Sequence, residues 1–171
     1  MTETAQPEGK PTIDIQALSQ LDTKEVVNTP EFQAWAGTDW QASGEVVAGT
    51  DGPALFFHGG MSGVGSFSRD EPRNTGDHQH GFYFSPRLHD ARFYADKLKA
   101  EQIEEGQSPD ASVYGVMLKM KNPYVITEGD SLSSASINAI PEGYDGVVNP
   151  KSQEVVVFDP AQIFIAAEAK R

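Results

Sequence analysis

The sequence predicts a single α+β domain in which helices flank a β-sheet core. Two observations carry this prediction. Short runs of apolar, aromatic and β-branched residues recur along the chain at the length of strands. One long segment instead repeats its apolar residues at positions i, i+3, i+4 and i+7, which is typical of an amphipathic helix. The chain has 171 residues, enough to bury a hydrophobic core without disulfides or metals.

The composition narrows the class of protein. The chain has no cysteine, which excludes disulfides and thiolate metal ligands and fits a reducing compartment. No apolar run reaches the length of a membrane span, and the first residues lack the pattern of a signal peptide, so we expect a soluble protein. A formal net charge of −12 repels a phosphate backbone and disfavours nucleic acid as a partner, although such acidity also serves solubility.

The first part of the chain is predicted to hold a leader and two helices. Residues 1–12 show no periodicity and are expected to form a disordered leader without chemistry. A single domain then spans residues 13–171, with N-terminal helices over residues 13–37 and a catalytic core from about residue 45. Thr29-Pro30 is typical of an N-cap followed by a first-turn proline, so the second helix should begin there.

A short apolar strand is predicted to deliver a histidine. The run Leu55-Phe56-Phe57 ends abruptly at His58, and two glycines follow it. Because glycine has no Cβ, a ligand can approach its backbone closely, and this pattern suits a nucleotide pocket. A hydrogen-bonded structural histidine is the alternative. Residues 40–50 before the strand are rich in turn formers, and residues 59–69 after it are expected to form a mobile loop.

A second strand and the longest helix follow that loop. Gly81-Phe82-Tyr83-Phe84 predicts an aromatic strand, and Ser85-Pro86 predicts an N-cap and a first-turn proline. The helix should run from Pro86 to about Glu104, with Tyr94 on the face that packs against the sheet, where it could equally be a core residue. Further strands are predicted at residues 113–120, 147–148, 154–158 and 162–167, with a short helix at residues 128–140.

The order of these motifs is more specific than any one of them. His58 at a strand end, Tyr83 on the next strand, Tyr94 on the helix and Glu154 before a late strand follow one another. In this order the chain resembles ADP-ribosyltransferases of the His-Tyr-Glu group, and within them the domain of phage polyvalent proteins and bacterial polymorphic toxins. The resemblance covers nearly the whole chain from about Asn28. Its landmarks are Thr29-Pro30-Glu31-Phe32, Phe57-His58-Gly59, Gly81-Phe82-Tyr83-Phe84, Tyr94-Ala95, Lys121-Asn122-Pro123, Tyr144-Asp145-Gly146-Val147 and Glu154-Val155-Val156-Val157-Phe158-Asp159-Pro160.

The resemblance implies a fold, a substrate and residue roles. The fold is an ADP-ribosyltransferase-like split, mainly antiparallel β-sheet core with flanking helices, and the substrate is NAD, with no metal. Glu154 would accept a hydrogen bond from the 2′-hydroxyl of the nicotinamide ribose. His58 would hold the adenosine-side ribose, and the Gly59 backbone would bind the carboxamide. Tyr83 and Tyr94, with ten residues between them as in the diphtheria-toxin type, would clamp the nicotinamide. The implied catalytic residues are Glu154, His58 and Tyr83, and the implied NAD-binding residues are His58, Gly59, Tyr83, Tyr94 and Arg69.

Elementary chemistry explains why this reaction needs these residue types. Breaking the bond between nicotinamide and ribose has an oxocarbenium-like transition state, which a carboxylate beside the ribose stabilises. The bound nicotinamide is a flat cation, and cation–π attraction to a desolvated aromatic face contributes about 1–2 kcal/mol. Taken by itself, Glu154 could equally be a solvated acid at the entrance of a strand.

Some residues depart from the family pattern or invite another interpretation. The family commonly has Ser or Thr after the His-Gly pair, whereas this chain has Gly60, and Ser152 stands where arginine-modifying enzymes have a second glutamate. Arginine is therefore not supported as the acceptor. Arg69 could reach the pyrophosphate or face solvent, as could Arg73. The His78-x-His80 pair has no cysteine or acid at helical spacing with it, so we expect no metal there.

These inferences predict an NAD-dependent mono-ADP-ribosyltransferase that modifies a macromolecule, with a protein favoured over nucleic acid. The resemblance places it as a phage or toxin effector in the bacterial host cytoplasm, associated with a virion or delivered there. One alternative is an NAD glycohydrolase, in which water is the acceptor. The other is a non-catalytic module that keeps the fold for binding. The acceptor residue, an antidote partner and the oligomeric state stay open.

Overall fold

A computed structural model describes residues 12–49, 52–63, 81–127 and 140–171 of the chain. These residues form two β-sheets with helices packed outside them, which confirms the α+β prediction. The helices are α1 (Ile15–Ser19), α2 (Thr23–Val27), α3 (Pro30–Ala36), α4 (Trp40–Ser43) and α5 (Leu88–Glu104). The strands are β1 (Phe56–Met61), β2 (Phe82–Phe84), β3 (Ala111–Leu118), β4 (Pro123–Val125), β5 (Gly146–Val148), β6 (Val155–Val157) and β7 (Ile163–Lys170), with a 3₁₀ helix, Pro160–Gln162, ahead of β7.

The two sheets are mainly antiparallel and are joined beside β1. The first sheet has the order β1-β3-β7 and is antiparallel throughout. The second has the order β2-β6-β5-β4, in which the β4–β5 pair is parallel. An antiparallel bridge between Phe57 and Ser85 connects β1 to the end of β2. This arrangement confirms the split, mainly antiparallel core with flanking helices.

The first sheet lies in the middle of the molecule, and its two faces bury different partners. One face packs against the second sheet, and there Phe56 of β1 meets Val155 of β6 in a shared core. The opposite face packs against α5, where Phe57 meets Ala95. The N-terminal helices cover the rest of that face through Phe32, which is fully buried. Alternate residues of β1 therefore point into different cores, as the pleat of a strand requires.

The N-terminal segment follows the capping signals in its sequence. The Thr29 hydroxyl accepts a hydrogen bond from the Phe32 N–H at 3.2 Å, and α3 begins at Pro30 as predicted. Residues 13–27 form two short helices rather than one, because Asp14 and Asp22 each cap a separate first turn. Thr12, predicted as the last residue of the leader, forms a parallel bridge with Glu168 of β7. The rest of the predicted leader lies outside the described residues.

Several boundaries differ from the sequence predictions. The turn-rich segment before β1 contains α4, and β1 continues to Met61, so the two glycines after His58 are strand rather than loop. Strand β4, which begins at Pro123, was not among the predicted strands. A proline has no N–H to donate, but β4 is an edge strand and needs no donor on its outer side. Residues 128–139 of the helix predicted at 128–140, and most of the predicted loop after β1, lie outside the described residues.

Gly59 sets how closely β1 approaches α5. A Cβ at this position would overlap the carbonyl oxygen of Ala91 and would lie 2.8 Å from the backbone nitrogen of Ala95. Both atoms belong to the helix backbone, so no side-chain rotation could relieve the contact. The helix contributes alanines to this interface, and both are buried. The sequence pattern at Gly59 is therefore explained by packing against α5 as well as by room for a ligand.

Replacing Gly59 with alanine is expected to push α5 away from β1 and to destabilise the fold. Overpacking of this kind costs about 3 kcal/mol, at the upper end of the usual range, because the obstacle is backbone. Gly60→Ala is the matched control, since a Cβ there meets only the His58 ring, at 3.2 Å. Urea denaturation of both variants would measure the difference. Equal free energies of unfolding for the two variants would contradict the close approach at Gly59.

Candidate active site

His58 leaves β1 on the face that turns toward the second sheet. Its neighbours Phe57 and Gly59 face α5, whereas the imidazole ring lies 5.4 Å from the ring of Phe84, centroid to centroid. The Nδ1 atom lies 2.8 Å from the backbone carbonyl oxygen of Tyr83. A carbonyl oxygen only accepts, so Nδ1 carries the proton and Nε2 is the acceptor when the ring is neutral.

The environment of His58 keeps its imidazole neutral. Burial lowers the pKa of the His58 side chain below its ordinary value, because a charged ring would lose hydration, and the hydrogen bond to the Tyr83 carbonyl offsets this only in part. A neutral ring with a protonated Nδ1 presents a lone pair at Nε2. Such an atom can accept a hydrogen bond from a hydroxyl group, for example that of a ribose.

The strands β1 and β2 separate immediately beyond their bridge. Phe57 donates to the Ser85 carbonyl at 2.7 Å and accepts from the Ser85 N–H at 3.1 Å. Backbone groups of residues i and i+2 point to the same edge of a strand, so the N–H and C=O of Gly59 also point toward β2. Next to Gly59, the Tyr83 carbonyl accepts a hydrogen bond from the His58 ring and not from the backbone of β1. The Gly59 backbone therefore faces the opening of the split between the sheets.

Tyr83 and Tyr94 approach each other at this opening. Burial, and a further contribution from the nearby Tyr94 hydroxyl, raise the pKa of Tyr83 to about 12, so its phenol stays protonated at neutral pH. Tyr94 is 57% exposed, so its predicted position on the sheet-packing face of the helix is wrong. The helix packs through alanines and Leu98 instead, because its close approach to β1 leaves no room for a large ring. Tyr94 lies beside this stripe, with its ring edge-to-face with Phe93 at 5.7 Å.

Glu154 lies next to the bridge that joins the sheets. The ladder between β2 and β6 ends with Phe84 opposite Val155, so one step further Ser85 lies opposite Glu154. The Asn149 N–H donates to the Glu154 carbonyl at 3.0 Å and extends the β5–β6 pairing by one residue. Val155 points into the core between the sheets. By alternation, Glu154 points to the other face of the second sheet, the face of Tyr83, and its side chain is half-buried.

The structure therefore brings the predicted residues to one region but not to one face. The Gly59 backbone, the Tyr83 and Tyr94 rings and Glu154 lie on the side of α5. His58 leaves its strand on the opposite side and reaches the split through its Nδ1 atom. Arg69, Arg73 and the His78-x-His80 pair lie outside the described residues.

A second acid at this end of β1 was missed by sequence reasoning. Glu168 of β7 is buried, and its carboxylate accepts hydrogen bonds from the Ser112 hydroxyl at 2.6 Å and the Gly63 N–H at 2.9 Å. The register places Glu168 opposite Tyr114, which in turn lies opposite His58. Glu168 therefore anchors the chain where it leaves β1. A single charge inside the otherwise apolar run of β7 was the available signal.

Two other features are absent from the residues that the structure describes. Within them there is no group of three His, Cys, Asp or Glu side chains that could hold a metal ion. No helix in the same part of the chain is long and apolar enough to cross a membrane.

The split sheet, with a histidine and a glycine on one strand and tyrosines and an acid across the opening, has the arrangement that the resemblance to ADP-ribosyltransferases predicts. A family model described as ADP-ribosyltransferase in polyvalent proteins matches residues 50–140, more than half of the 171 residues. The chain belongs to this family, whose substrate is NAD. The matched range includes His58, Gly59, Tyr83 and Tyr94, whereas Glu154 lies beyond it. Comparison with curated proteins and with solved structures gave no match.

The lowered pKa of His58 predicts how stability changes with pH. The unfolded histidine takes up a proton near its ordinary pKa of about 6.5, whereas the folded ring resists protonation, so this contribution to stability is present above that pH and is lost below it. His58→Gln should lose less stability than the wild type between pH 7.5 and pH 5. Urea unfolding midpoints across this pH range would give the slope of stability against pH for the wild type and for the variant. A wild-type slope in His58→Gln would contradict the assignment of a neutral, buried His58 ring.

Proposed function

We propose that this protein transfers ADP-ribose from NAD to a protein of a bacterial host and releases nicotinamide. The observation that carries the proposal is the meeting of three separate segments at one opening. The Gly59 backbone comes from β1, Tyr83 and Tyr94 come from the continuous segment of β2 and α5, and Glu154 immediately precedes β6. Membership of the ADP-ribosyltransferase family supports the same reaction.

The aromatic pair suits the nicotinamide end of NAD. Tyr83 is protonated at neutral pH, so its ring offers a neutral π face to the nicotinamide cation. Tyr94 is exposed at the mouth of the opening, and it can close on the other face of the ring. The Gly59 N–H and C=O point to the same opening, and together they match the C=O and NH₂ of a carboxamide.

Glu154 supplies the charge that the reaction requires. As the bond between C1′ of the ribose and N1 of nicotinamide breaks, its electron pair leaves with nicotinamide, which becomes neutral, and C1′ becomes positive. The carboxylate of Glu154 stabilises this charge and accepts a hydrogen bond from the 2′-hydroxyl. A nucleophile of the acceptor then bonds to C1′ and loses its proton. His58, with Nε2 as an acceptor, suits a hydroxyl of the second ribose.

The net charge of the protein and the residues before Glu154 indicate which class of acceptor it modifies. The net charge of −12 opposes a nucleic acid acceptor. Ser152 occupies the position two residues before Glu154, so no second carboxylate from that position can orient a guanidinium. We therefore favour a protein acceptor whose modified residue is not arginine. The family description points to a phage-borne effector, which would act in the host cytoplasm.

Labelled NAD and a bacterial lysate would test the proposal with Glu154→Gln. Label should appear on a few protein bands with the wild type and should fall about 100-fold with the variant, because a neutral amide cannot stabilise the cation. Glu142→Gln, in an exposed turn, is the matched control and should label like the wild type. Equal labelling by Glu154→Gln would show that the acid is assigned wrongly.

Further measurements separate the alternative functions from the proposed transfer. Rapid release of nicotinamide without an acceptor would identify a glycohydrolase. A ligand that binds the folded state stabilises it. A melting temperature that does not rise with NAD would therefore identify the protein as a non-catalytic binding module. Label on RNA or DNA would overturn the argument from charge.

A further inference from the structure

The turn before Glu154 is closed by its own hydrogen bonds. The side-chain oxygen of Asn149 accepts from the N–H groups of Lys151 and Ser152 at 3.0 and 3.3 Å. The Gln153 N–H donates to the Asn149 carbonyl at 2.7 Å, and the Glu154 N–H lies 3.3 Å from the Ser152 hydroxyl oxygen. The backbone of Glu154 is therefore oriented by the residues 149–153, which we call the acid turn.

Gln153 adopts a conformation that side chains usually avoid. Its φ is +63°, and no other non-glycine residue in the described part of the chain has a positive φ. Such strain persists only where the surrounding structure holds the backbone in place, and it tends to occur at functional sites. The internal hydrogen bonds of the acid turn supply part of that restraint. A hydrogen bond from outside the turn also reaches it.

Arg87 makes that contact. Its Nη1 atom donates to the Ser152 carbonyl at 2.8 Å, across 65 positions of sequence. Its Nε atom donates to the Asp90 carboxylate at 2.9 Å, and the same carboxylate oxygen accepts from the Ser85 hydroxyl at 2.6 Å. Ser85 is the residue that bridges to Phe57 of β1. A continuous chain of contacts therefore runs from β1, through the start of α5, to the acid turn.

We propose that Arg87 is a positioning residue, which holds the acid turn so that Glu154 points at the reacting ribose. This inference rests on the proposed transfer of ADP-ribose. The planar guanidinium presents donors in two directions, so it bonds to Asp90 and Ser152 together, a geometry that the single ammonium of lysine does not reproduce. These two hydrogen bonds join the start of α5 to the acid turn.

Arg87→Met and Arg87→Lys would test the role through the steady-state kinetics of nicotinamide release. Arg87→Met should lower kcat by about tenfold or more and leave KM for NAD within about twofold, since small misplacement of a reacting group is costly while the binding contacts remain. Arg87→Lys should restore only part of kcat. Arg92→Met, one turn further along α5 and exposed, is the control and should behave as the wild type. A raised KM with unchanged kcat would overturn the proposal and make Arg87 a ligand of NAD.

Hydrogen exchange tests the positioning role of Arg87 without relying on activity. The Gln153 and Asn149 amides, which close the acid turn, should exchange about tenfold faster in Arg87→Met, whereas amides of β6 should not change. Unchanged exchange at the acid turn would overturn the positioning role even if the protein proved inactive toward NAD. Inactivity of the wild type, in contrast, would remove the proposed function alone.

A second pair of variants tests the strained backbone of the acid turn. Gln153→Gly should keep kcat, because glycine adopts a positive φ without strain. Gln153→Val should lower kcat about as much as Arg87→Met, because a β-branched residue is excluded from that conformation. Circular dichroism would check that both variants fold. Equal kcat for the two variants would show that the conformation of residue 153 does not place Glu154.

Discussion

The separation of β1 from β2 is the constraint on which the site depends. The two strands share the backbone bridge between Phe57 and Ser85, and beyond it the His58 ring bonds to the carbonyl of Tyr83. A continued ladder would have paired that carbonyl with the backbone of β1. Because the ladder stops, the Gly59 backbone turns to an opening, and residues from β2, α5 and β6 gather around the same opening. The close contact of Gly59 with α5 holds β1 in this position.

Burial sets the protonation of the groups around the opening. The His58 ring is kept neutral, and the raised pKa of Tyr83 keeps its phenol protonated, so neither side chain carries a charge at neutral pH. Under the proposed function, Glu154 supplies the negative charge of the site. Glu168 carries a buried carboxylate near the same end of β1, and it accepts hydrogen bonds from the Ser112 hydroxyl and the Gly63 N–H. The half-buried Glu154 and the buried Glu168 therefore have different surroundings.

Local sequence signals predicted several elements correctly. They gave wrong positions where tertiary packing decides the arrangement. The cap and proline of α3 act within one turn, so its start was predicted correctly. The apolar repeat of α5 was also identified, but Tyr94 was assigned to the wrong face, because the repeat shows which residues are apolar and not how close the helix comes to the sheet. The predicted N-cap Ser85 bonds instead to Asp90 and Arg87, and the helix begins at Leu88. The contacts of Arg87 with Ser152 and of Glu168 with Gly63 join residues that are far apart in sequence.

The sequence by itself determined the α+β class, the family resemblance and the residue types that the chemistry of NAD requires. These depend on local periodicity and on the order of short motifs, which a linear pattern contains. The tertiary structure decided that the sheets separate after Phe57, that Tyr94 is exposed, and that Arg87 reaches the turn before Glu154. Each of these outcomes is set by contacts between segments, and the free energy of such contacts depends on the packing of the whole chain rather than on neighbouring residues.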